Sequence, residues 1–189
     1  MNKQVISAAL SILVLTLLTG IVYPLAVTGI AALAFPAKAS GSLIREEDHM
    51  AGSTLIGQPF SDPRYFWGRP SATAPFPCNA ALSTGSNLGP TNPALLETFK
   101  GRIDSLRAAD PGNTDPIPVD LVTASASGLD PDISPAAAYY QVRRLAKARG
   151  ASEEEVRRLV ASKVKGRTFG CLGEPTVNVL ELNRALDSK

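Results

Sequence analysis

A chain of 189 residues, 44% of them hydrophobic and 19% charged, with a formal charge of +2, has room for one ordinary domain of about 150 residues that folds without metal or disulfide staples. Near-neutral charge, no basic stripe and an aromatic content of 6% exclude nucleic acid as a partner, since phosphates need clustered cations and bases need stacking faces.

No charged residue lies between Lys3 and Lys38, and the apolar run from Val5 to Phe35 is longer than the ~20 residues that cross a bilayer as a helix. Ala37-Lys38-Ala39 resembles a signal-peptidase site, but a signal h-region runs only about 7–15 residues. Residues 1–37 are therefore read as a membrane anchor and residues 38–189 as one soluble domain. Within the anchor Thr16, Gly20, Pro24 and Thr28 recur at every fourth position, forming one column of small or stiff side chains. The column either admits the backbone of a second membrane helix or reflects the ordinary Gly and Thr content of single spans. The short tail before the apolar run suits a signal anchor with its amino terminus in the cytoplasm, which places the soluble domain outside. The cation count of the two flanks, Lys3 against Lys38 and Arg45, barely favours either side.

From Gly41 to Pro90 the pieces GSLI, STLIGQPF and RYFWGRP, separated by Gly and Pro, read as small strands and ordered loops. His49, beside Glu46, Glu47 and Asp48, has no accompanying metal or base motif and reads as part of a solvated face. Asn92 and Pro93 mark a helix start, with Leu95, Phe99, Ile103 and Leu106 on one face. DPGNTDPIP then breaks the chain, and VDLVTAS reads as a strand. Ser134 and Pro135 open the next helix, which should bury Ala138, Val142, Leu145 and Ala146, expose Arg143, Arg144, Lys147 and Arg149, and stop at Gly150. Ser152 with Glu155 forms a capping box for a helix burying Val156, Leu159, Val160 and Val164. The final stretch, EPTVNVLELNRALDS, is either a strand at Val177 to Leu180 leading into a helix or one helix throughout. Strands and helices without βαβ regularity give an α+β class.

No phosphate-cradling Gly-rich loop occurs, no G-x-S-x-G surrounds Ser83, Ser86, Ser125 or Ser127, and no metal-ligand spacing is present, so neither a catalytic residue nor a metal site is expected. Cys78 and Cys171 are not in C-x-x-C spacing, and whether they pair is open. Two loops rich in hydrogen-bonding residues remain, STGSNLGPTN and TASASGLDPDIS. Gly85, Ser86, Asn87, Ser125, Ser127 and Asp130 are the candidates there for contact with a partner or ligand, the alternative being turns that satisfy their own backbone. Thr123 to Gly128 contains no bulky side chain. It is expected to cross close to another segment such as GSNLGP, with a positive φ at Gly128.

The single amino-terminal span, GSLI, LIGQPFSDPRYFWGRPSAT, GSNLGPTNPAL, DLVTASASGLDPDISPAAA and EPTVNVLELNRAL resemble, in order and over essentially the whole chain, the KdpC family, whose members belong to the Kdp potassium-transporting P-type ATPase. The resemblance implies a bacterial inner-membrane complex with a channel-like potassium-translocating subunit and an ATP-hydrolysing P-type subunit as partners, potassium being the transported ion. The chain lacks the D-K-T-G phosphorylation motif and so is not the ATP-hydrolysing member of that complex. The resemblance further implies a catalytic chaperone that raises ATP affinity through a ternary complex, with Gln141 as its nucleotide contact. An extracytoplasmic Gln141 cannot reach cytosolic ATP, so assembly and stabilisation is the favoured role. The alternative is an anchored extracytoplasmic binding module unrelated to ATP.

Overall fold

The computed structural model describes every residue except Met1, Glu47, Asp48 and Lys189, and leaves the side chains of Glu46 and His49 undescribed. The expected solvated face around His49 therefore lies outside the described residues. The chain divides into two compact units, the first ending at Ser53 and the second beginning at Thr54.

The first unit opens with a helix over Asn2–Ala34, long and apolar enough to cross a membrane. It comprises α1 (Asn2–Leu17), a π-helical turn (Leu18–Val22) and α2 (Tyr23–Ala34). Pro24 explains the wide turn: its ring clashes with the carbonyl four residues back and it has no N–H to give. A short helix, α3 (Pro36–Ala39), follows. Strands β1 (Leu43–Glu46) and β2 (His49–Ser53) pair antiparallel with an irregularity between Ile44 and Arg45.

In the second unit Thr54 to Thr91 is loop apart from a 3-10 turn at Ala80–Leu82. Of the strand-or-loop pieces expected there, STLIGQPF beyond Ser53 and RYFWGRP are loops, held by side-chain bonds to distant segments. Helix α4 (Pro93–Ala109) is capped by Asn92, whose side chain accepts from the Ala94 N–H, with Pro93 in its first turn. Only Leu106 of its apolar face is buried; Leu95, Phe99 and Ile103 remain half-covered. VDLVTAS is not a strand. Val119–Leu121 forms a 3-10 turn, and Thr123 donates from both its N–H and its hydroxyl to the Val119 carbonyl (2.9 and 2.8 Å), which curls the chain instead of extending it.

The expected single helix after Ser134 is two, α5 (Pro135–Tyr140) and α6 (Val142–Arg149), with Gln141 between them at φ −87°, ψ −10°. Ser134 caps α5, and Gly150 ends α6 with φ +64°. Helix α7 (Glu153–Lys163) starts with the expected reciprocal capping box. It stops one residue short of Val164, which belongs to β4 (Val164–Lys165) and is half-buried. Strand β5 (Thr176–Asn178) leads directly into α8 (Val179–Asp187), deciding for strand-then-helix. Asn178 makes that switch by accepting from the Glu181 N–H (3.0 Å) while donating to the Thr54 carbonyl (2.9 Å) and Asp132 (3.0 Å).

Strand β3 (Asp132–Ile133) pairs antiparallel with β5, and β5 with β4, giving the order β3-β5-β4. Helices α5, α7 and α8 pack on β5, and α6 packs on α5 and α7, around a core of Phe66, Ile133, Val142, Leu145, Val160, Val177 and Leu182, none more than 1% exposed. Each such side chain stabilises the fold by about 1.5–3 kcal/mol through burial. The fold class is α+β, as the sequence indicates.

Candidate functional site

The small-residue segment from Thr123 to Asp130 runs through a ring of loop backbone. Ser125 donates its N–H to the Pro70 carbonyl (3.1 Å), while the Ser127 carbonyl accepts from the Thr84 N–H and the Ser83 hydroxyl (both 3.0 Å). Ser71 donates its hydroxyl to the Gly128 carbonyl (2.8 Å), and Gly57 donates its N–H to the Leu129 carbonyl (2.8 Å). Arg69 joins the ring through an ion pair with Asp130 (3.0 Å) and a longer bond to the Ala124 carbonyl (3.4 Å). Inside the segment the Gly128 N–H donates to the Ser125 hydroxyl oxygen (2.8 Å) and the Leu129 N–H to that of Ser127 (3.1 Å).

Contact distances explain the absence of bulk. A Cβ on Gly85 would stand 2.8 Å from the Ala126 carbonyl oxygen, and one on Gly128, whose φ is +69°, 2.5 Å from the Thr73 methyl carbon and 2.7 Å from the Thr84 carbonyl oxygen. The segment thus crosses the chain just before and at Gly85, the first residue of GSNLGP, as the sequence leads one to expect. Ser125 is 2% exposed, whereas Ala126 and Ser127 face solvent. Ser86 and Asn87 are exposed, Asn87 with φ +53°. The ring therefore gathers Gly85, Ser125, Ser127 and Asp130, with Ser86 and Asn87 exposed beside it.

Gln141 lies elsewhere in the unit. It is 2% exposed, and protein groups use every hydrogen-bonding position of its amide. Its Oε1 accepts from the Trp67 N–H (2.8 Å) and from Arg144 (2.7 Å); its Nε2 donates to the carbonyls of Trp67 (3.1 Å) and Ala137 (3.2 Å). Asn183 does the same for the preceding residue, accepting from the Phe66 N–H (2.8 Å) and donating to its carbonyl (3.0 Å). Two side-chain amides thus replace the neighbouring strand that this stretch of loop lacks.

Arg144, expected on a solvated face, is 5% exposed. Its guanidinium lies 4.0 Å from the centre of the Trp67 ring and donates to the carbonyls of Pro63 (2.5 Å) and Tyr65 (3.0 Å) as well as to Gln141. Burial pushes Arg144 down to about 10, which leaves it charged at neutral pH, so its role is to tie the Pro63–Trp67 loop to α6. The sequence offers one signal for these contacts, the WGRPSAT stretch, but spacing along the chain gives no sign that Trp67 anchors the Gln141 and Arg144 cluster while Arg69 and Ser71 anchor the ring around Thr123 to Asp130.

Cys78 and Cys171 are both free thiols, Cys78 half-buried and Cys171 exposed. Burial raises the Cys78 thiol above its ordinary value, partly offset by a hydrogen bond with Ser71. In the second unit an apolar cleft of about 270 Å3 is lined by Phe60, Trp67, Pro70, Arg102, Leu106 and Leu121. The Arg102 guanidinium beside it is committed to the Val122 carbonyl (2.7 Å).

The family model described as K+-transporting ATPase, c chain, matches residues 5–188. The chain belongs to that family. It is 65% identical over 180 residues to the potassium-transporting ATPase KdpC subunit of Sorangium cellulosum, covering 95% of both chains. It is 63% identical to the subunit of the same name from Polaromonas naphthalenivorans, covering 98% of this chain and 95% of the relative. With the Methylococcus capsulatus subunit the identity is 62%, covering 96% and 95%. The chain is accordingly a subunit of a potassium-transporting ATPase, and relatives of this family span its anchor-like helix and its α+β unit together.

Proposed function

We propose that this chain is a non-catalytic assembly subunit of the potassium-transporting ATPase, held in the bacterial inner membrane by Asn2–Ala34 with its amino terminus in the cytoplasm and its α+β unit outside. In this reading it joins the channel-like potassium-translocating subunit to the ATP-hydrolysing subunit. The observation that carries the choice of assembly over nucleotide binding is the engagement of Gln141. All of its amide positions serve Trp67, Ala137 and Arg144, and a nucleotide contact would have to break bonds that hold the core loop in place. The ring around Thr123 to Asp130 supports the same role, because a rigid loop cluster presents Ala126, Ser127, Ser86 and Asn87 to a partner without ordering cost on binding.

The second reading is the catalytic chaperone, in which the chain raises ATP affinity of the hydrolysing subunit through a ternary complex. Its supporting observation is the presence of Gln141 itself at the position the family resemblance singles out. Sidedness separates the two. Cys171 is exposed and Cys78 half-buried, so a membrane-impermeant maleimide added to intact cells is expected to label the parent chain well before its Cys171→Ser variant. Labelling that requires lysed cells would place the unit beside cytosolic ATP and favour the chaperone.

A further inference from the structure

The apolar cleft in the second unit opens onto the core. Buried Leu106 and Leu121 form part of its wall, and the side chains of Phe60 and Trp67 form another part. Arg102 of α4 lines the same cleft. Only its Nη1 is committed, to the Val122 carbonyl (2.7 Å), and its other nitrogens have no acceptor among the described residues. Arg69, Arg143, Arg149 and Arg167 each face a carboxylate. Arg102 faces none among the described residues, and the helix positions three and four residues from it hold Thr98, Phe99, Ser105 and Leu106. Burial pulls Arg102 below the ordinary arginine value with no anion to offset it, yet a guanidinium stays protonated at neutral pH.

A guanidinium offers a flat fork of donors that matches the oxygens of a carboxylate or a phosphate, and here the fork stands beside an apolar hollow. A peptide strand finds no edge to pair with along this wall. The N–H and carbonyl of Phe66 are taken by Asn183, and those of Trp67 by Gln141, so strand addition has no free backbone groups there.

We infer that the cleft binds a small amphiphilic anion, whose carboxylate or phosphate meets the unused donors of Arg102 and whose apolar body lies against Phe60, Trp67, Leu106 and Leu121. The cleft volume of about 270 Å3 equals that of about nine waters in the liquid, which suits a body of about eight carbons. Such a ligand bridges α4 to the Phe60–Pro70 loop. Leu106 is the one buried side chain of α4, so the bridge adds a second tie to that helix. The inference concerns the α+β unit alone and holds on whichever side of the membrane that unit lies.

The test uses the full chain in phosphatidylcholine vesicles, with octanoate, octyl phosphate and uncharged octanol as probes and Trp67, the one tryptophan, as reporter. At least one of the two anions is expected to change Trp67 emission saturably, at a concentration about tenfold or more below that needed for octanol. The tighter anion names the source, a fatty acid for octanoate or a lipid phosphate for octyl phosphate. Arg102→Gln keeps an N–H for the Val122 carbonyl and removes the charge. It is expected to weaken the anions about tenfold to a hundredfold and to leave octanol unchanged. Ser105→Phe, at an exposed position of the lining, fills the cleft and is expected to abolish the response to every probe while melting like the parent. Equal responses of the parent to octanol and to both anions would overturn the anionic ligand, a comparison that needs no variant and so survives any misfolding of Arg102→Gln. An emission change that persists in a folded Ser105→Phe chain would overturn the cleft as its place, and no saturable change with any probe would overturn the site. A peptide with an apolar last residue and a free carboxyl terminus that displaces octanoate at a tenfold lower concentration would overturn the choice of a small ligand.

Discussion

The side-chain amide of Gln141 takes both backbone hydrogen bonds of Trp67, accepting its N–H at 2.8 Å and donating to its carbonyl at 3.1 Å. The pair joins the α5–α6 junction to a loop 74 residues earlier in the chain. Truncation at Gln141 therefore strips partners from the Trp67 N–H, the Trp67 carbonyl and one nitrogen of Arg144 together. Gln141→Ala is expected to destabilise the chain by about 3 kcal/mol or more, from unpaired buried groups and the cavity left behind. Trp67 is the one tryptophan in the sequence, so its fluorescence reports the unfolding. Any loss of ATPase activity in the complex should track the unfolded fraction; a Gln141→Ala chain that melts like the parent but raises the ATP requirement would instead establish the nucleotide role.

Gly85 and Ala126 show why the small-residue segment tolerates no bulk on one side and ample bulk on the other. A Cβ at Gly85 would meet the Ala126 carbonyl oxygen at 2.8 Å, and that oxygen belongs to backbone that cannot swing away. Gly85→Ala is expected to cost about 1–3 kcal/mol by overpacking. The Ala126 side chain faces solvent, so Ala126→Leu should stay within about 0.5 kcal/mol of the parent. Thermal melts of the two variants check the contrast, and equal losses would refute it. If Ala126→Leu melts normally but blocks complex formation, the exposed side of the segment is the contact surface.

Ser125 and Ser127 differ by the same logic. The Ser125 hydroxyl oxygen accepts from the Gly128 N–H at 2.8 Å in a buried position, and Ser125→Ala leaves that donor only its longer bond to the Ser125 carbonyl (3.3 Å), an expected cost of about 0.5–1.5 kcal/mol. Ser127 is exposed, water replaces its hydroxyl, and Ser127→Ala should cost well under about 1 kcal/mol. Chemical denaturation at constant slope measures both.

The parts of this fold that are legible in the sequence are those fixed by near neighbours. Asn92, Ser134 and Ser152 cap helices through bonds reaching at most three residues along the chain, and the apolar run of the first helix needs no partner to be recognised. Arg144 defeats the sequence reading because a cation on a helix is ordinarily solvated; its acceptors, the carbonyls of Pro63 and Tyr65, lie 81 and 79 residues away and no periodicity announces them. VDLVTAS fails as a strand for a similar reason, since Asp120 is drawn to the Ser134 N–H at 2.7 Å. Of the candidate loop residues, the crossing at Gly85 and Gly128 is readable from the lack of side-chain volume, whereas Arg69 and Ser71, which close the ring, carry no such mark.

The two thiols are expected to separate kinetically. Burial raises the Cys78 thiol, so at a given pH less of it is thiolate in the folded chain than in the unfolded one, and its reaction with a maleimide starts at higher pH once folded. Cys171 is exposed and should react first. Mass spectrometry of the native chain near pH 8 should find Cys171 modified well before Cys78, with denaturant abolishing the difference. Equal rates in the folded chain would contradict the half-buried placement of Cys78.

Arg144 offers the sharpest distinction between charge and shape. Its guanidinium reaches three acceptors on two segments while lying over Trp67, 4.0 Å from the ring centre. A lysine keeps the charge but presents a single ammonium on a flexible stem, so it cannot serve Pro63, Tyr65 and Gln141 at once or stack on the indole. Arg144→Lys is expected to destabilise the chain by about 2–3 kcal/mol, the scale of lost hydrogen bonds to a charged group. Because the loop from Pro63 to Trp67 is then released locally, Trp67 emission should shift toward that of solvated indole before the main unfolding transition. If Arg144→Lys preserves both the melting point and the emission of the parent, the positive charge alone suffices, and the forked, stacked geometry is not what holds this loop against α6.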